Sequence, residues 1–292
     1  MQRDSLHRFV FENTPIRGNS VHLNVTFDAA LQYHDYPASL RIILGELMVA
    51  STLLAATLKM DGALILQIQG KGALKLLVVE CNTTPEANLN LRATAKWQGK
   101  LPNSLKAMLG DGHCVITLDP KDGEQYQGIV PLEGDSIAQM LENYMLRSQQ
   151  IETRLWLACN GKSASGMLLQ KLPDQPEQDI DAWDRICILA DTVTKDELQQ
   201  LDPAQLITRL FGEEDVRIFS AKPTQFHCGC TRVKVANMLT MLGENEVESI
   251  LAERANIEVN CEFCNKCYDF DAVDAAALFA HEPVAPSSGA KH

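Results

Sequence analysis

Two short cysteine runs near one end of the chain constrain its fold more than any other feature. His227-Cys228-Gly229-Cys230 is followed, thirty residues on, by Cys261-Glu262-Phe263-Cys264-Asn265-Lys266-Cys267. A Cys-x-Cys pair aims two sulfurs at one ion from a tight turn, and Cys-x-x-Cys does the same from a knuckle. Together Cys228, Cys230, Cys261 and Cys264 supply four thiolates, a preferred tetrahedral shell for structural Zn²⁺ with sulfur at ~2.3 Å. Ile257-Glu258-Val259 reads as a strand entering the knuckle and Tyr268-Asp269-Phe270 as a strand leaving it. Cys267 and His227 are spare candidates for the fourth ligand, so spacing alone leaves the shell open.

Other readings of the sulfurs are weaker. Cys81, Cys114, Cys159 and Cys187 each lie in an apolar run and behave as small buried hydrophobes. Permanent disulfides need an oxidising compartment. Cys261, Cys264 and Cys267 match the first three positions of a ferredoxin-type cluster run, but Tyr268 to Asp271 stand where its final Cys-Pro would be. Zinc fits best.

At 292 residues, 46% hydrophobic and 22% charged, the chain suits one large globular domain or two smaller ones. Its net charge of −12 argues against nucleic acid as the main partner, because phosphate-gripping modules need excess Lys and Arg. Even around the cysteines, Arg232, Lys234, Arg254 and Lys266 face a larger set of glutamates. Met1-Gln2-Arg3-Asp4 leads into no apolar region, so no signal peptide is expected. The apolar run Ala38 to Leu58 contains Arg41 and Glu46, which favours a buried core helix over a membrane span. The expected compartment is the cytosol, with no membrane partner.

Alternating patterns predict strands over Leu6–Phe11 and Arg17–Thr26, then a short helix to His34 and the long buried helix. A hairpin follows, Ala63–Gln69 and Ala73–Glu80 about a Gly70-Lys71-Gly72 turn, and then a strand over Leu89–Trp97. Val115–Leu118 should pair with Tyr126–Leu132, and Asp135 or Ser136 should cap a helix to Ser148. Arg154–Cys159 and Gly166–Gln170 complete the sheet. This pattern is α+β, with largely antiparallel pairing.

The polar, proline-bearing stretch from Pro173 to Asp179 breaks the composition. Helices are expected over Ile180–Val193, Lys195–Leu201 and Pro203–Phe211, with a strand at Val216–Phe219. Short helices depend on packing for stability. Thr231–Leu242, Asn245–Ala255 and Ala272–Ala280 read as further helices, and Glu282–His292 as a disordered tail. The expected organisation is a core domain over 1–174, a helical linker over 175–225 and a zinc-binding domain over 226–292.

No catalytic constellation stands out, so no catalytic residue is assigned and the chain is not expected to be an enzyme. Lys162-Ser163 lacks the earlier glycine of a phosphate loop, since Trp156 occupies that place. The Cys-x-x-Cys raises a thiol–disulfide oxidoreductase, but no thioredoxin-like βαβ pattern surrounds it. Chemistry is concentrated at the sulfurs. Metal-held cysteines are thiolates, the form oxidants attack, and each has a neighbour two or three positions away to close a disulfide. Oxidation would then join Cys228 to Cys230 and Cys261 to Cys264 and free the metal. A redox-triggered order–disorder switch and a purely structural zinc site both fit the spacing.

Several stretches decide between them. Leu6-His7-Arg8-Phe9, Phe11-Glu12-Asn13, Arg17-Gly18, His34-Asp35-Tyr36-Pro37 and Ala55-Ala56-Thr57-Leu58-Lys59 carry a resemblance. So do Tyr126-Gln127-Gly128, Leu132-Glu133-Gly134-Asp135, Arg147-Ser148, Gly166-Met167-Leu168-Leu169-Gln170 and both cysteine pairs. Through nearly its whole length the chain resembles the redox-regulated thirty-three-kilodalton heat-shock chaperones of bacteria. The resemblance implies a cytoplasmic, ATP-independent holdase, inactive while reduced with one Zn²⁺ per chain. Peroxide with heat would convert such a protein to a form with two disulfides that releases zinc, dimerises and holds unfolded clients. Carried over by position, Cys228, Cys230, Cys261 and Cys264 are both the ligands and the redox cysteines. Cys267 lies just past that motif, as a possible competing ligand.

Overall fold

The computed structural model describes residues 4–84, 88–173 and 179–279. The chain forms two compact units, Met1–His227 and Cys228–His292. The first opens with β1 (Ser5–Phe11), β2 (Ile16–Leu23), α1 (Val25–Leu31) and the long helix α2 (Ala38–Ala55). It continues through β3 (Gly62–Gly70), β4 (Leu74–Thr83), β5 (Leu89–Trp97), α3 (Leu105–Leu109), β6 (Gly112–Pro120) and β7 (Tyr126–Pro131). Then come α4 (Ile137–Gln149), β8 (Thr153–Cys159), β9 (Ala164–Lys171), α5 (Ala182–Asp191), α6 (Lys195–Gln200) and α7 (Pro203–Leu210). The short strands β10 (Val216–Ile218) and β11 (Lys222–Phe226) close the unit. The α+β expectation holds.

All these strands join one sheet in the order β7-β6-β3-β4-β5-β11-β1-β2-β9-β8, with β10 beside β1. Pairing is antiparallel except where β11 runs parallel to β5. Strand periodicity of two explains how the sheet serves two cores. Leu6, Val21, Leu155 and Leu168 point to the core built around α2, where Leu44, Leu47, Met48 and Leu53 are fully buried. Phe9, Phe11, Met167 and Leu169 point the other way, into a second core closed by Ile186, Leu198, Leu206 and Phe211. Residues 182–210, expected as a linker, thus cover an apolar sheet face within the first unit. Helix α2 is long and apolar enough to span a membrane by composition, but 72% of it is buried in this core.

Two local devices fix the geometry. The Asp4 carboxylate accepts from the backbone N–H groups of Asn24, Val25 and Thr26, capping α1 from the residue just ahead of β1. Gly18 pairs with Phe9 across β1 and β2. A Cβ there would stand 2.1 Å from the Phe9 ring, so glycine makes the space that the ring fills.

The structure refines several boundaries. Helix α2 ends at Ala55 rather than Leu58, and the second strand stops at Leu23 because Val25 begins α1. Ser136, rather than Asp135, caps α4 by accepting from Gln139 N at 3.2 Å. Strand β11 was not expected from the sequence. Pro223 lies within it, which reads as a break, yet it pairs only with Ser5 near a strand end. The 282–292 tail and most of the 173–179 break lie outside the described residues.

The second unit contains α8 (Arg232–Leu242), α9 (Glu244–Glu253), β12 (Ile257–Asn260), β13 (Cys267–Phe270) and α10 (Ala272–Phe279). Gly243, with φ +93°, separates α8 from α9 in a conformation that only glycine takes without strain. Its core is small: Leu239, Val247, Ile257, Tyr268, Phe270 and Ala275.

Candidate metal centre

Strands β12 and β13 form an antiparallel hairpin in which Val259 faces Tyr268 and Asn260 faces Cys267. The connection between them is the knuckle. Cys261 N donates to Lys266 O at 3.0 Å and Asn265 N donates to Cys261 O at 2.8 Å. Asn265 sits at φ +53°, a left-handed position that asparagine tolerates better than most residues. This tight turn sets Cys261 and Cys264 on one side. Cys228 and Cys230 arrive just ahead of α8, whose cap Thr231 accepts from Lys234 N at 3.2 Å. A helix N-terminus favours negative charge nearby, which suits a thiolate.

The four sulfurs converge. The Sγ atoms of Cys228, Cys230, Cys261 and Cys264 all lie within 4.8 Å of one another. The Cys228–Cys261 separation is 3.6 Å and the Cys230–Cys264 separation is 3.4 Å. A tetrahedron with Zn–S at ~2.3 Å has edges of about 3.8 Å, so the cluster is close to the size zinc needs. All-sulfur donors suit zinc over harder cations. All four cysteines are half-buried and free. Cys267 is exposed, and neither it nor His227 belongs to the group.

The sulfurs differ electrostatically. Burial opposes ionisation of Cys230, but hydrogen bonds from Tyr268 and the other three thiols outweigh it and hold the group down at about 7. Burial pushes Cys264 up to about 12 and also raises Cys228. Cys230 is thus ready to ionise near neutrality, while Cys228 and Cys264 are held in the protonated form. Outside the cluster, burial lifts Cys81 and Cys114 to about 12 and Cys159 and Cys187 to about 11. Those four are poor nucleophiles.

Sequence reasoning did not find the residues that support the centre. Tyr268 donates its hydroxyl to Cys230 Sγ at 3.1 Å. Arg232 donates to Asp269 O at 2.5 Å, bonds Asp274 at 2.6 Å and lies 4.1 Å over the Phe270 ring. It ties the helix that follows Cys230 to the strand that follows the knuckle. Only alternation in β13, which buries Tyr268 and Phe270, hinted at the first role.

Comparison with known proteins adds an independent line. A family model described as Hsp33 protein matches residues 4–271. A "33 kDa chaperonin" of Methylobacillus flagellatus is 60% identical, covering 99% of each chain. One from Chromobacterium violaceum is 48% identical over 99% of this chain and 98% of its own. The crystal structure of the 33 kDa chaperonin of Thermotoga maritima superposes with a TM-score of 0.80 at 21% identity, covering 94% of this chain and 97% of that one. That structural likeness concerns the fold.

Proposed function

The chain belongs to the Hsp33 family, and we propose from that premise that it is a cytoplasmic, ATP-independent chaperone whose holding activity is switched by oxidation of Cys228, Cys230, Cys261 and Cys264. The observation that carries the reading is the convergence of these four sulfurs within 4.8 Å. In the resting form they would hold one Zn²⁺. Bound zinc would keep the sulfurs as thiolates and cross-link the two halves of the second unit.

Activation is a balanced two-electron oxidation at each pair. A thiolate attacks one oxygen of hydrogen peroxide, breaking the O–O bond and forming sulfenic acid, and the hydroxide that leaves takes a proton from solvent to become water. The neighbouring thiol then attacks that sulfur, expelling a second water and forming the S–S bond. Two peroxides give two disulfides, Cys228–Cys230 and Cys261–Cys264, and the sulfurs no longer hold the ion. Structural zinc contributes on the order of 10–16 kcal/mol to small metal domains. Among the described residues, six buried side chains form too small a core to offset such a loss.

Opening is proposed to spread to α5–α7, which are short and held by packing. Lifting them would bare Phe9, Phe11, Met167 and Leu169, an apolar face suited to unfolded clients. Dimerisation of the oxidised form would then cover part of that surface.

The test is zinc release measured alongside suppression of client aggregation, using reduced protein with and without peroxide at elevated temperature. One equivalent released together with new suppression is expected. Zinc retained, or released with no gain in suppression, would leave only a structural site.

A further inference from the structure

Away from the sulfur centre, a cavity of about 270 Å³ opens beside the C-terminal end of α2. Leu54, Leu64, Ile116, Leu118, Met145 and Ile151 make its apolar wall. Its polar lining includes Arg17 and Lys59. Small-molecule pockets run roughly 300–1,000 Å³, so the space, just below that range, suits a slim ligand.

Arg17 is the unusual group. Its Nε and Nη2 donate to Gln170 Oε1 at 3.1 and 2.8 Å. Gln170 is fully buried and fixed in turn by donating to Thr153 Oγ1 at 3.2 Å. A neutral amide orients the guanidinium without balancing its charge. Burial disfavours that charge, and among the described residues no carboxylate pairs with Arg17. A half-buried cation without a counter-ion is costly unless a ligand supplies one. The Nη1 edge remains available to an incoming carboxylate, whose two oxygens match the guanidinium fork.

Neighbouring charge has the same sign. A second cavity, also about 270 Å³, shares Arg17, Thr57, Leu58 and Lys59 and adds Arg8 and Phe219. Arg8 lies 5.5 Å over the Phe219 ring, and among the described residues neither Arg8 nor Lys59 pairs with a carboxylate. This cationic group stands in a chain of net charge −12. The remaining polar side chains are already committed. Thr57 donates to Leu54 O at 2.7 Å and Gln149 donates to the Tyr144 hydroxyl at 3.0 Å. A peptide in the cavity would leave its amides short of partners, whereas a hydrocarbon chain needs none.

We propose that this cavity is a binding site for an unbranched acyl carboxylate, with the chain along the Leu54–Ile116–Ile151 wall and the carboxylate on Arg17. Arg8 and Lys59 attract the anion from outside. The site does not depend on the sulfur centre.

The test is calorimetric titration of full-length, reduced, zinc-loaded protein with decanoate below its micelle concentration, and with decanol as the uncharged equivalent. Decanoate should bind at least about tenfold more tightly than decanol, the scale of a charge-assisted hydrogen bond. Arg17→Gln should erase that preference while leaving decanol unchanged. Ile151→Trp, which fills the cavity without touching charge, should abolish both. Unchanged zinc content and melting temperature verify the variants. Equal binding of decanoate and decanol, no binding of either, or an unaltered preference in Arg17→Gln would overturn the proposal. Tighter binding of a leucine-flanked glutamate peptide than of decanoate would overturn the acyl assignment.

Discussion

The Tyr268 hydroxyl donates to Cys230 Sγ at 3.1 Å, joining the hairpin strand to the opposite cysteine run. Tyr268 is also part of the small core of its unit. Packing and sulfur chemistry are therefore coupled through one side chain. Groups that hold metal ligands in place typically contribute roughly 10- to 100-fold in affinity. Tyr268→Phe keeps the ring and removes only the donor. Zinc affinity in chelator competition should fall about tenfold, with the fold retained. Unchanged affinity would show that the hydrogen bond plays no part in holding the ion.

Zinc binding should be steeply pH-dependent. Cys230 is held at about 7 while Cys264 is pushed up to about 12, so at neutral pH several sulfurs carry protons that the ion must displace. Unfolded thiols near pKa ~8.5 impose the same sign. Affinity should rise from pH 6 to pH 8 by more than about tenfold per unit, since one proton released gives tenfold. A slope of one proton or less would mean that most sulfurs are already ionised without metal.

Much of this was legible in the sequence, for physical reasons. Cysteine spacing located the four sulfurs because ligand pairs must be local, and alternation located most strands because burial on one face imposes period two. The second core was hidden. Its sheet residues, Phe9, Phe11, Met167 and Leu169, meet helices that periodicity could find but not dock. Strand β11 was masked by Pro223, and α3 is only five residues long. The acyl cavity was invisible, since Arg17, Ile116 and Ile151 come together only through the sheet.

Phe211 tests whether α5–α7 form a separable layer. Its ring lies 6.0 Å from Phe9 and 5.0 Å from Phe11, edge-on to the latter. Phe211→Ala should cost roughly 3–5 kcal/mol. Hydrogen exchange should quicken across 182–210 well before β3–β6. Uniform loss of protection would mean that the helices and the sheet unfold as one.

Glu46 on α2 offers a stability test. Burial raises its pKa, with Lys195 opposing the shift. The folded state then binds more protons than the unfolded chain above about pH 4.3, so this group's contribution to stability declines as pH rises through that window. Glu46→Gln should raise the melting temperature at pH 7.5 and give no gain near pH 4, where the carboxyl is protonated in both states. A gain of 1 kcal/mol corresponds to roughly 2–4 °C. An equal gain at both pH values would assign the effect to packing.

Cys267 separates the two definitions of the metal shell. It opens β13 opposite Asn260, is exposed, and stands outside the four-sulfur group. Its sequence position, three residues past Cys264, nevertheless matches ligand spacing. If the shell is Cys228, Cys230, Cys261 and Cys264, Cys267→Ser should retain one zinc per chain and respond to peroxide as the unsubstituted chain does. Cys264→Ser should lose the ion, because three thiolates and one hydroxyl make a far poorer site. Peptide mapping of the oxidised Cys267→Ser protein should give the Cys228–Cys230 and Cys261–Cys264 bonds alone. Loss of zinc from Cys267→Ser with retention in Cys264→Ser would place Cys267 in the shell, and the knuckle would then have to rearrange on binding to bring its sulfur inward.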